Sequence, residues 1–297
     1  MFKPNLKKNT IQFTLILSKK DNTMQKIFKF ALVFGLLAFI GCGDTADKKG
    51  EANATASGGA TQQILVGATP VPHAEILEFI KADLANEGFE LVIKEFNDYV
   101  QPNLATDSGE LDANFFQHIP YLDEFNKNKG TQLVRVAGIH LEPMGVYSRK
   151  HSKFETLSDG ASIAVPNDPT NESRALDIIA KTGVVTFKES TLKTPLDITS
   201  NPKNVNFKEL APEQLPRALD DTDFAVINAN FAMAAGLNPS ADSLVIEDKS
   251  SPYVNVLVVK AGNENTAKTQ ALIKALQSEK VKGFITEKYK GAVIPAF

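Results

Sequence analysis

The sequence predicts an α/β protein built on parallel sheets with helices on both faces. Three observations carry this. From Gln63 onward, short apolar runs alternate with amphipathic helical patterns. The runs end in polar turns rich in Gly, Pro, Asp and Asn. A chain of 297 residues, 43% hydrophobic and 23% charged, is long enough for two lobes with separate cores.

The elements follow in order. ILVGA (64–68) reads as a strand. HAEILEFIKADLANEG reads as a helix, with Ile76, Ile80 and Leu84 on one face and Gly88 as its stop. FELVIKEF, LVRVAGI (133–139) and MGVYS read as strands. SIAVP followed by RALDIIAKTG repeats the strand-to-helix step. DFAVIN (223–228), SLVIE (243–247) and VNVLVVK (254–260) are further strands. TAKTQALIKALQ and SEKVKGFITEKY close the chain as helices. No internal repeat is evident.

The N-terminus reads as a targeting segment. From Met24, Lys26 and Lys29 precede an apolar run, Phe30 to Ile40, too short to span a bilayer. Cys42, the only cysteine, follows Gly41. Phe39-Ile40-Gly41-Cys42 resembles a bacterial lipobox, which implies cleavage before Cys42 and lipid on its sulfur. Residues 1–42 are thus expected to be a signal region whose start is Met24. Residues 43–62, polar and small, are expected to be a flexible tether. Without residues 1–42 the chain carries 25 basic and 34 acidic side chains, a net charge of −9. An acidic, exported, anchored protein is a poor partner for nucleic acid.

Within VPNDPTNESRAL (165–176), Asp168 and Pro169 suit the start of a helix. Arg174 then falls in the first two turns, where the helix already carries partial positive charge. Two readings are open: a surface ion pair with Glu172 or Asp177, or an anion supplied by a ligand. Ligands of parallel sheets sit beyond the carboxyl ends of the strands. This stretch, GATPVPHAE and the end of DFAVIN all lie at such ends. In DANFFQHIP, strand alternation would place Asn114, Phe116 and His118 on one face and Phe115, Gln117 and Ile119 on the other. The first face reads either as a pocket wall or as a half-buried strand with a satisfied histidine.

DYVQPNLA, LDANFFQHIPYL, HLEPMGVYS, VPNDPTNESRAL, INANFA and SPYVNVLVVK, in this order, resemble the NlpA family of methionine-binding lipoproteins. The similarity spans Gln63 to Phe297. It implies a two-lobed periplasmic-binding-protein fold, type II-like, with the ligand cleft between two α/β lobes. Lobe 1 would comprise 63–146 with 252–297, and lobe 2 would comprise 147–251. It also implies a monomer, lipid-anchored to the cell membrane and facing the extracytoplasmic side, that hands L- or D-methionine to an ABC permease and its ATPase subunit.

The resemblance gives Arg174 to the ligand carboxylate. It gives Asn171, Asn228 and Asn255 to the amino-acid head group, and Tyr99, Phe116 and His118 to the wall around the thioether. Tyr121 and Glu142 lie close to matched motifs. On this reading asparagine carbonyls satisfy the ammonium and leave no excess charge in the cleft. No cofactor, metal or catalytic group is implied. His73, His118, His140 and His151 lack ligand spacing, and neither H-E-x-x-H nor G-x-S-x-G occurs. Two other readings remain: a surface lipoprotein with an adhesive role, or a binder of another small amino acid or methionine derivative.

Overall fold

The computed structural model describes residues 61–248 and 250–297. The signal region with Met24 and Cys42, and residues 43–60 of the expected tether, lie outside the described residues.

The first half of the chain builds one sheet. Strand β1 (Gln62–Ala68) leads through a turn at 69–74 into helix α1 (Glu75–Asn86). Ile76, Leu77, Ile80 and Leu84 of α1 are buried on one face, as the helical spacing requires. Gly88, at φ +86°, reverses the chain into β2 (Phe89–Glu95), a conformation in which a Cβ would be strained. Helix α2 (Gln101–Ser108), β3 (Ala113–His118), α3 (Ile119–Lys129) and β4 (Leu133–Leu141) follow.

The chain then enters a second sheet. It contains β5 (Gly145–Tyr147) and β6 (Ser162–Pro166), followed by helix α4 (Pro169–Lys181). A hairpin, β7 (Thr186–Phe187) with β8 (Ile198–Ser200), projects from it. Strand β9 (Asn206–Leu210), α5 (Leu215–Ala218), β10 (Phe224–Ile227), α6 (Ala229–Ala234), α7 (Pro239–Asp242) and β11 (Val245–Ile246) complete the lobe. Strand β12 (Val254–Lys260), α8 (Ala267–Leu276), α9 (Glu279–Tyr289) and β13 (Ile294–Pro295) return to the first sheet.

The strand orders are β13-β4-β12-β3-β1-β2 and β11-β5-β10-β6-β9. Only β1, β2 and β3, and β6, β9 and β10, pair in parallel. The sheets are therefore mixed, where uniform parallel pairing was expected. β12 and β13 in the first sheet and β5 in the second run against the other strands, and β12 and β5 are the strands on which the chain enters each sheet from the other. The division expected at residue 146 falls inside β5, which pairs only with β10 and β11. The passage itself is residues 142–144.

Each sheet has its own apolar core. One gathers Ile64, Val66, Ile80, Phe115, Ile139, Leu257 and Leu276. The other gathers Met144, Val146, Ile163, Leu176, Ile179, Phe224 and Val226. Most sequence-predicted elements recur within a residue or two. SLVIE shortens to two paired residues. Helices α2 and α3 were not expected, because neither carries a strong apolar stripe. No helix among the described residues is long and apolar enough to cross a membrane.

Candidate functional site

One recess between the two sheets is lined by Tyr99, Phe116, Gln117, His118, Tyr121, Glu142, Asn171, Arg174, Asn228, Ala229, Asn230 and Asn255. All seven ligand-binding residues expected from the sequence are among them. Those not expected are Gln117, Ala229 and Asn230, and Tyr121 and Glu142 join from their place beside the matched motifs. The recess holds about 330 Å³ free of protein atoms, part of it open to solvent. The space is a narrow slot suited to a slender ligand.

The wall from the second sheet rests on α4. Asp168 caps that helix, its Oδ1 accepting from the Asn171 amide at 3.0 Å and from Asn171 Nδ2 at 2.9 Å. This fixes the Asn171 side chain, whose Oδ1 accepts from Asn228 Nδ2 at 2.8 Å and pairs with His118 Nε2 at 3.0 Å. His118 Nδ1 accepts from the Tyr121 amide at 3.1 Å and so caps α3. Nε2 must then carry the ring's proton and donate to Asn171. Burial, with the Arg174 charge adding to it, lowers His118 to about 3, so the ring is neutral at ordinary pH.

Arg174 is 4% exposed and already has a carboxylate partner. Its Nε donates to Glu247 Oε1 at 2.9 Å, and Nη2 donates to Glu247 Oε2 and, at 2.8 Å, to the Glu142 carbonyl. The guanidinium stacks on Tyr253 at 4.2 Å. The anion near this helix start thus comes from Glu247, neither from Glu172 or Asp177 nor only from a ligand. Nε and Nη2 make these bonds, Nη1 makes none among the described residues, and Arg174 is one of the residues lining the slot.

The asparagines divide in a way the sequence did not foresee. The carbonyls of Asn171 and Asn255 are committed, the latter to His73 Nε2 at 3.0 Å. Asn228 Oδ1 alone is buried without a partner. Such an acceptor is costly unless a donor arrives.

The wall from the first sheet is aromatic. Tyr99 lies 5.8 Å from Phe116 and 5.7 Å from Tyr121, and its hydroxyl donates to Asn230 Oδ1 at 2.6 Å. The expected alternation along β3 fails. Opposite β12 the register skips Phe116, with Val256 against Gln117 and Leu257 against Phe115. This bulge brings Asn114 and Gln117 to one side, where Gln117 Nε2 donates to Asn114 Oδ1 at 2.8 Å and to Asn103 Oδ1 at 2.5 Å. Asn114 therefore lies outside the slot's lining, to which Phe116, Gln117 and His118 belong.

Glu142 comes from the passage between the sheets. Its Oε1 lies 2.6 Å from His140 Nε2 and 3.2 Å from His73 Nε2. His73 Nδ1 pairs with Thr69 Oγ1 at 2.7 Å. Burial lowers His73 to about 4 and His140 to about 3. Burial also raises Glu142, an effect opposed by His73, Arg174 and an Asn230 amide. A buried carboxyl group thus lines the cleft beside the asparagines, and burial pushes it toward its neutral form.

Two helix-covered sheets with a polar slot at their junction define a two-lobed α/β binding protein. Residues 64–297 match the family described as NlpA lipoprotein, and the chain belongs to that family. It is 40% identical over 283 residues to the methionine-binding lipoprotein MetQ of Bacillus subtilis, covering 92% of this chain and 99% of that one. Among solved structures it resembles a nutrient binding protein from Burkholderia cenocepacia bound to methionine, at a TM-score of 0.76 and 43% identity, covering 79% of this chain and all of that one. It also resembles a periplasmic substrate-binding protein of an ABC transporter from Coxiella burnetii, at a TM-score of 0.75 and 39% identity, covering 78% and 100%.

Proposed function

We infer that this chain captures methionine and delivers it to an ABC permease, anchored by lipid on Cys42 and working as a monomer outside the cytoplasm. It acts as a carrier and not as an enzyme. Lobe 1 comprises the sheet of β1 and lobe 2 the sheet of β6. The observation that carries this is the pairing of complementary groups in one slot: the open Nη1 edge of Arg174, the unpartnered carbonyl of Asn228 and the aromatic wall of Tyr99 and Phe116.

The roles follow from that chemistry. Arg174, held rigid by Glu247 and Tyr253, presents its free edge to the ligand carboxylate. Asn228 accepts from the ammonium. Asn171, Asn255 and His118 orient these groups through the hydrogen bonds given above. The thioether lies against Phe116 and Tyr99, where sulfur–ring contact contributes about 0.3–1.5 kcal/mol. Because both lobes contribute contacts, ligand favours the shut state that docks on the permease. Methionine has about nine heavy atoms, and at about −1.5 kcal/mol per atom the affinity reaches the nanomolar range.

Thermal shift and calorimetry on ligand-stripped protein test the reading. Methionine raises the melting temperature well above the effects of leucine and norleucine. Absence of any methionine-specific shift overturns it.

A further inference from the structure

Tyr99 is anchored in one lobe and inserted into the other. On the lobe 1 side, Asp98 Oδ1 accepts from the amides of Val100 at 2.7 Å and Gln101 at 2.8 Å, which pins the turn into α2. The Tyr121 hydroxyl donates to the Tyr99 carbonyl at 2.9 Å, and the Tyr99 ring packs with Phe116, Tyr121 and Phe125. On the lobe 2 side, the same ring packs into the apolar cluster of Leu215, Leu219 and Phe231, with its centre 5.1 Å from that of Phe231. Its hydroxyl donates to Oδ1 of Asn230, a buried side chain on α6. Burial lifts the ionisation of Tyr99 well above the usual phenol range, so the hydroxyl stays a donor. A second bond crosses between the lobes, from His118 Nε2 to Asn171 Oδ1 at 3.0 Å. Both bonds run from protein to protein. They favour the joined arrangement of the lobes whatever the ligand is.

We propose that Tyr99 is a latch between the lobes: its hydroxyl bond to Asn230, with its ring seated against Phe231, stabilises the shut form by itself, so that this form is populated before a ligand arrives. The proposal rests on the binding-protein reading above, but not on which ligand is bound. Apparent affinity is the affinity of the shut form multiplied by the fraction of protein already shut. The latch therefore scales the affinity for every ligand by one common factor and selects among none of them. The ring of Tyr99 is part of the slot's wall, and its hydroxyl serves the lobes.

The test uses the full chain in detergent micelles, stripped of ligand. Nitroxides are placed on cysteines introduced at the exposed residues Asn128 in lobe 1 and Ser152 in lobe 2, and pulsed electron spin resonance reads their separation. The unliganded wild type is expected to show two separations, one of them the separation that saturating methionine selects. Tyr99→Phe, which keeps the ring and removes the hydroxyl, is expected to deplete that one. Calorimetry on the same variant should show methionine and norleucine both weakened, by about twofold to tenfold as for one lost hydrogen bond, with their ratio kept within about twofold. A distribution of separations that Tyr99→Phe leaves unchanged overturns the latch, whatever happens to affinity. A loss for methionine well beyond that for norleucine also overturns it, because the hydroxyl then acts on the thioether. In an Asn230→Ala background, Tyr99→Phe should deplete the shut separation no further; an additive effect places the hydroxyl's partner elsewhere and overturns the pairing. Should Asn230→Ala fail to fold, the distribution in Tyr99→Phe decides alone. Failure of the wild type to bind methionine overturns the methionine reading only, because the shift in the unliganded protein is measured without it.

Discussion

The slot has two carboxylates beside it, and they are held in opposite ways. Glu247 meets a permanent cation, Arg174, and nothing of that pair's charge is left over. Glu142 meets two neutral imidazoles, and burial pushes its carboxyl above the usual carboxylate range. The first arrangement spends ionic attraction on rigidity and gives a fixed guanidinium with one free edge. The second leaves beside the slot a titratable group that no side-chain salt bridge to Lys or Arg fixes in its charged form. In a closed cleft, then, the presence of an ionised group does not reveal whether it acts on the scaffold or on a ligand; its partners do. Arg174 looks the more conspicuous residue in the sequence, yet Glu142 is the less compensated one.

The largest effect is expected at the ion pair. Arg174→Ala removes the carboxylate's partner on the ligand and strands Glu247, which is 9% exposed. Methionine binding should weaken at least a hundredfold, and unfolding free energy should drop by about 3–5 kcal/mol, the usual cost of leaving a buried charge alone. Calorimetry and urea unfolding measure the two separately. Glu247→Gln sharpens the contrast, because it keeps a hydrogen-bond acceptor and the guanidinium's free edge. It should lower stability while costing methionine affinity less than Arg174→Ala does. A larger affinity loss in Glu247→Gln would mean that holding the guanidinium matters more than its own ligand contact.

Acid should break the imidazole side. His73, His118 and His140 titrate near 6.5 when unfolded but at about 4, 3 and 3 when folded. The unfolded chain therefore binds more protons below pH 6.5. Stability from keeping these rings neutral is complete above that pH and declines as pH falls toward 4. At pH 5 each ring costs on the order of 2 kcal/mol. Glu142 and Asp168, raised by burial, work the other way by taking up protons in the folded state at the acid end. The melting temperature should fall between pH 7 and 5. A flat profile across that range would mean that these rings are already solvated.

Local rules were read correctly where a local cause decides the structure. Asp168-Pro169 opens α4 because the cap and the first helical position are neighbours in the chain. The strands ILVGA and SIAVP are continuous apolar runs and sit where expected. Most of the misreadings depend on distant partners. The bulge at Phe116 is imposed by pairing with β12, far along the chain, so period-two alternation could not reveal that Asn114 and Phe116 part company. Glu247 reaches Arg174 across 73 residues. The commitment of Asn255 to His73 spans 182. Helix α3 starts on a histidine cap, a residue type that sequence rules do not count among caps. The residues of the candidate site were therefore legible through family resemblance, and their charge bookkeeping was not.

The smallest effect is expected on the aromatic wall. Phe116 is 3% exposed and packs with Tyr121 and Phe125, with Tyr99 alongside. Phe116→Leu keeps most of the apolar surface and loses the ring face toward the thioether. The affinity loss should correspond to a sulfur–ring contact, about 0.3–1.5 kcal/mol, from under twofold to a little over tenfold. Norleucine carries a methylene in place of the sulfur, so it should bind the variant and the wild type more nearly alike than methionine does. If both ligands weaken equally, the ring acts through shape alone. If Phe116→Leu costs as much as Arg174→Ala, the wall and not the charged end dominates recognition, and the contrast between Glu247 and Glu142 would be a feature of folding and not of binding.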